Sequence, residues 1–251
     1  MNSKPCRILA IHAHPDDVEF QCAGTLALLK QAGCPITIAT MTPGDCGSTE
    51  LGSDEIAAVR REEARQAAKL LDADYECLEF RDLSIVHDNE SRWKVTEAIR
   101  RIRPDVVITA PPVDYMSDHE MTSRLVRDAC FNAPIPNYST RQWEPAGPIS
   151  RIPHLYYVDP IEGVDYYGQT VEPKFVIDIS TTFELKHQML ACHASQRDWL
   201  LKQHGIDEYL NSSQRWSASR GREIGVEYGE GFSQHTGHPY PADNLLLELI
   251  A

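Results

Sequence analysis

Four short apolar runs recur through the first 110 residues, at Arg7–Ile11, Ile36–Thr42, Tyr75–Phe80 and Asp105–Ala110. Each has the length of a buried strand, and each is separated from the next by enough chain for a helix. Thr25–Gln31 reads as such a helix, with Gly33 suited to its C-cap. Trp93, Val95, Ala98, Ile99 and Ile102 recur at helical spacing and stop short of Pro104. Strand–helix alternation of this kind predicts an α/β fold: a Rossmann-like, mostly parallel sheet with helices on both faces, formed by residues 1–251 as a single domain. In such sheets ligands bind outside the carboxyl ends of the strands. The residues that follow each run are therefore the first places to look for chemistry.

The second half is less regular. Asn132–Pro153 carries five prolines and reads as a long loop, expected to form a rim or lid. Two further strands are expected at His154–Val158 and Phe175–Ile179, followed by a helix opened by a capping box, Thr181 to Glu184.

Composition excludes some partners. A formal net charge of −13 repels phosphate-rich surfaces, which argues against a nucleic-acid or anionic-membrane binder. The seven cysteines are scattered with no C-x-x-C pair, so neither a disulfide framework nor a thiolate zinc site is expected, and a reducing cytoplasm is the expected location. The amino-terminal stretch has no apolar run of signal-peptide length, and nothing approaches a membrane span. A small-molecule substrate is the natural partner, and a homo-oligomeric assembly stays open.

Directly after the first strand comes His14-Pro15-Asp16-Asp17. Adjacent carboxylates repel when partly desolvated, unless positive charge sits between them. A turn after Pro15 can aim His14 and Asp17 at one point, a fitting pair of ligands for zinc or a similar ion. Asp16 then points elsewhere. His119, after the fourth strand, is the best-placed third ligand. The alternative is a helix N-cap, with Asp16 or Asp17 satisfying free amides.

Several longer segments resemble one family. "AHPDDVEFQCAGTLALLKQAG", "MTPGDCGS", "RREEARQAAKLL", "SDHEMT", "FVIDISTTFELKHQMLACHASQ" and "EYGEGF" together resemble the PIG-L/LmbE-like zinc-dependent deacetylases of N-acetylglucosaminides. That resemblance implies Zn2+ (Fe2+ or another divalent metal also suits the ligands) held by His14, Asp17 and His119, with Asp16 as general base. It implies removal of an N-acetyl group from an amino sugar or sugar conjugate by a metal-activated water. Arg60, in the RxxE segment, is then expected to bind substrate; a mutual ion pair with Glu63 is the alternative. Asp45 is expected either to contact substrate or to stabilise the Gly44–Gly47 turn. Asp118 is expected behind the ligands. His193 reads as a buried structural or supporting histidine. His235 and His238 read as a polar loop, with a second metal site or a neighbour's pocket as alternatives.

One position departs from the family pattern. Where these deacetylases carry H-x-D-H, this chain has Met116-Ser117-Asp118-His119. The missing histidine is the expected oxyanion stabiliser and acid. A branch resembling 4-oxalomesaconate hydratase, a metal-dependent hydratase of an unsaturated acid, also lacks it, but that branch lacks the base aspartate too. Retention of Asp16 favours hydrolysis.

Overall fold

The computed structural model describes residues 5–204 and 208–251; the first four residues of the amino-terminal stretch lie outside the described residues. The four early strands form as β1 (Ile8–His12), β2 (Ile36–Thr40), β3 (Asp74–Cys77) and β4 (Val106–Thr109), joined by β5 (His154–Val158). All five pair in parallel. Two more strands, β6 (Phe175–Asp178) and β7 (Gly229–Gln234), extend the sheet in the order β3-β2-β1-β4-β5-β7-β6, with β7 antiparallel to both its neighbours.

Every residue of β1 is buried, which places it in the centre of the sheet. Ile8 and Ala10 face one core with α2 (Ala23–Gln31) and α3 (Ser53–Leu70). Leu9 and Ile11 face the other with α4 (Asn89–Ile102) and α5 (Ser117–Asn132). The isoleucine and leucine side chains each contribute about 1.5–3 kcal/mol by leaving water, so the central strand is anchored from both sides. Strand order reverses across β1, with β2 on one flank and β4 on the other. The crevice at this reversal is where parallel sheets place ligands.

β7 was not expected. Its sequence, GEGFSQ, has no apolar run. Gly231 is there because a side chain would collide with the Asp159 carboxylate. The proline-rich segment is not a lid. It packs over α4, where Glu97 accepts hydrogen bonds from the Thr140 hydroxyl (2.6 Å) and the Ala146 amide (2.7 Å). Nor does the capping box form. The helix α6 (Phe183–Ala191) has Thr182 at its N-cap, and that hydroxyl donates to Gly24 O (2.9 Å) instead of capping.

The carboxy-terminal elements lock onto the amino-terminal half through buried charge. Lys186 of α6 is 1% exposed, and its Nζ lies 2.6 Å from Glu230 Oε1 and 2.7 Å from Phe20 O. Glu230 also accepts the amides of Gly24 (3.0 Å) and Thr25 (2.8 Å), capping α2 from another strand. The Lys186 to Gln196 segment therefore begins with a strut. Among the described residues, no helix is long and apolar enough to cross a membrane.

Candidate metal centre and active site

A cavity of about 460 Å³ opens at the carboxyl ends of β1 and β4. The turn after β1 decides its chemistry. Asp16 has φ 100°, a left-handed conformation that a short polar side chain tolerates better than most. This sends the two adjacent carboxylates opposite ways. Asp17 Oδ2 accepts the His14 amide at 2.8 Å, closing the turn. Asp16 Oδ2 instead accepts the Tyr209 hydroxyl at 2.7 Å, from α8 (Glu208–Ile224), with Arg60 3.7 Å away. Asp16 makes no side-chain cap to the helix α1 (Asp17–Gln21).

His119 sits in the first turn of α5. Its Nε2 lies 3.3 Å from His14 Nδ1 and 3.4 Å from Asp17 Oδ1. Ligand atoms of His14, Asp17 and His119 thus converge within 4.8 Å of one another, and all three residues are buried. Each imidazole is backed on its far side by a carboxylate. Asp114 Oδ1 lies 2.9 Å from His119 Nδ1, and Asp82 Oδ1 lies 3.0 Å from His14 Nε2. Carboxylates in these places orient metal-binding imidazoles and fix their tautomers.

The electrostatics point the same way. Burial opposes charge on His14, yet Asp118, Asp17 and Asp82 carry its pKa well above the ordinary value. Burial likewise opposes charge on His119, but Asp17 and Asp114 raise it to about 10. Such a concentration of carboxylates calls for positive charge, as protons or as a divalent cation. The donor set of two imidazoles and a carboxylate, with a cavity in front, suits a catalytic divalent ion that keeps a position for water. Burial raises the Asp16 carboxyl above its usual range, with Arg60 opposing.

His14, Asp82 and Asp118 form a second converging set. Asp82 Oδ2 is engaged by the Cys46 amide (3.2 Å), and Asp118 Oδ2 by the Leu83 amide (2.8 Å). These carboxylates hold the loop after β3 against His14, and Asp118 stands behind the ligands. Leu83 itself is held at φ 59° while 64% exposed, a conformation costing a branched residue about 1–2 kcal/mol.

Arg60 lines the cavity, but it is engaged with the backbone. Its Nη2 donates to Pro15 O at 2.8 Å, and its guanidinium threads between Gly44 and Gly47, where any side chain would strike it. Glu63 does not pair with it; it accepts the Ser195 amide (2.8 Å) and hydroxyl (2.7 Å). Asp45 lies outside the cavity wall, its oxygens accepting from Asp82 N (2.9 Å), Arg81 (3.0 Å) and Ser53 (3.1 Å). It stabilises the loop junction. His193 is buried, its Nε2 3.4 Å from Glu19. His235 lies away from the cavity beside Tyr157 (3.2 Å), and Met116 lines the cavity at the N-cap of α5.

Sequence reasoning missed Asp82, Asp114 and Tyr209. Asp82 follows β3 and Asp114 follows β4, so the strand-end rule points at both. Tyr209 carries no local signal, being 193 positions from its partner.

Residues 9–130 match the model of the PIG-L family, described as GlcNAc-PI de-N-acetylase. Over that stretch, which carries His14, Asp16, Asp17 and His119, the chain is similar to the PIG-L family. It is 28% identical over 198 residues to diacetylchitobiose deacetylase of Thermococcus kodakarensis, covering 76% of this chain and 70% of that protein. A second relative, 4-oxalmesaconate hydratase of Pseudomonas putida, is 23% identical over 90% of this chain and 85% of its own length. Among solved structures, N,N'-diacetylchitobiose deacetylase from Pyrococcus horikoshii superimposes with a TM-score of 0.77 at 28% identity, covering 95% of this chain and 88% of that one.

Proposed function

We propose that this protein is a metal-dependent amide hydrolase that removes the N-acetyl group of an amino sugar or sugar conjugate, in the cytoplasm. The observation that carries the reading is the convergence of His14, Asp17 and His119 at the cavity floor, with Asp16 turned aside from the ligand set. His14, Asp17 and His119 would hold a divalent ion, zinc being one that these donors suit, and it would supply Lewis acidity towards the acyl carbonyl and water. Asp114 and Asp82 hold the two imidazoles in their ligating orientation. Asp16 takes the proton from the attacking water and returns it to the departing nitrogen, which Met116 cannot do. The Tyr209 hydroxyl and the Arg60 guanidinium keep the Asp16 carboxylate aimed and charged. Similarity to deacetylases at 28% identity supports the same reading.

The test is metal content together with acetate release from acetylated amino sugars. The parent is expected to hold about one divalent ion per chain, and Asp17→Ala and His119→Ala to lose most of it. Asp16→Asn is expected to keep the ion and lower turnover about 10²–10⁴-fold. Full metal content in the ligand variants, or hydration of an unsaturated acid without acetate release, would sink the reading.

A further inference from the structure

The lining of the cavity is uneven, acidic in its walls and apolar at its mouth. Its walls carry the carboxylates of Asp16, Asp17 and Asp82, and that of Glu208, which is paired with Arg215. Apart from the two imidazoles of the proposed ligand set, the cationic side chain on those walls among the described residues is Arg60, and its guanidinium is engaged with Pro15 O and beside Asp16. A carboxylate or phosphate on the substrate, held away from the metal, would lie near the Asp16 and Asp82 carboxylates and meet no free lysine or arginine among these lining residues. The mouth has the opposite character. Leu83 and Tyr115 line the cavity while 64% and 66% exposed, and Ile161 joins them.

Two features mark this ledge as built. Leu83 is held in a left-handed conformation by the Asp118 carboxylate, which keeps an apolar side chain in solvent at the site's mouth. Tyr115 packs edge-on against the ligand His119, ring centroids 5.6 Å apart, so its position is tied to the metal centre.

We propose that the substrate is a neutral glycoside of an N-acylated amino sugar whose aglycone, apolar or aromatic, rests on Leu83, Tyr115 and Ile161. This rests on the deacetylase reading above and names its specificity. The acyl group lies at the ligands beside Asp16, and the uncharged remainder leaves the cavity over the ledge. Anionic conjugates are disfavoured by the wall charge.

The experiment compares kcat/KM of the metal-loaded protein on three N-acetylglucosamine derivatives: the methyl glycoside, the phenyl glycoside and the malate conjugate. The phenyl glycoside is expected to exceed the methyl by about tenfold, as burial of a few ring carbons predicts, and the malate conjugate to fall below both. Leu83→Ser and Tyr115→Ser are expected to bring the phenyl-to-methyl ratio towards one, and Leu83→Lys to raise the malate conjugate relative to the methyl glycoside. Acetate release from all three at equal kcat/KM overturns the inference and leaves the deacetylase reading standing. Release from none overturns that reading, and the inference falls with it. A phenyl advantage that survives both serine variants overturns the assignment of the ledge.

Discussion

Two clusters of buried charge lie on either side of α1, and they are balanced differently. In the Lys186–Glu230 cluster, one cation meets one carboxylate at 2.6 Å, and two backbone amides use the remaining acceptor capacity. At the candidate metal site, Asp17, Asp82, Asp114 and Asp118 surround two histidines, while Asp16 sits desolvated beside an arginine 3.7 Å away. The first cluster is complete as it stands and serves architecture. The second holds more negative charge than its own side chains balance, which is what a cation-binding site needs. Balance, more than burial, separates the two roles.

The largest effect expected from this contrast is at Lys186. Lys186→Met strands Glu230 in the core and is expected to lower unfolding stability by about 3–5 kcal/mol, leaving metal content unchanged in the folded fraction. Denaturant unfolding with metal analysis checks both halves; metal loss at full stability would erase the contrast.

His12 sharpens it from another direction, as a buried ionisable group kept neutral. Burial depresses its pKa from 6.5 to about 4, against the pull of Asp17. The unfolded chain therefore takes up this proton first. The stability due to neutral His12 is complete above pH 6.5 and is lost as pH falls towards 4, by on the order of 3 kcal/mol. Metal-stripped parent and His12→Phe, unfolded across pH 4–7, are expected to differ by that component (a common slope would remove His12 as its source).

The smallest stability effect is expected where catalysis loses most. Asp16→Asn removes a charge that burial disfavours and keeps a residue suited to φ 100°, so unfolding stability is expected to stay level or rise by up to about 1 kcal/mol. A loss comparable to that of Lys186→Met would make Asp16 architectural.

Much of the sheet was legible because the parallel strands are buried on both faces and read as continuous apolar runs, as Ile8–Ile11 and Val106–Ile108 do. β7 was not, since its glycines serve close packing against Asp159, a contact no local pattern encodes. The site divides along the same line. His14, Asp16 and Asp17 were conspicuous because three ionisable groups follow a core strand within four positions, and His119 because it follows another. Arg60 and Glu63 looked like a helical pair because i,i+3 spacing permits one. Tertiary structure gave each a separate partner, Pro15 O and Ser195. Asp45 stood in the right loop, yet its carboxylate turned to Asp82 N and Arg81.

The bond from Tyr209 to Asp16 joins positions 193 residues apart. Closing so long a loop is a late event in folding, because contacts close in sequence bring less entropic cost. The proposed ligands His14 and Asp17 are set by a local turn, and His119 by the parallel strands they follow, so the candidate metal site can assemble before α8 docks. The tether on the base cannot. A chain in which α8 has yet to dock would therefore present the proposed ligands with Asp16 untethered, and the Tyr209 contact would report that two distant parts of the chain have met.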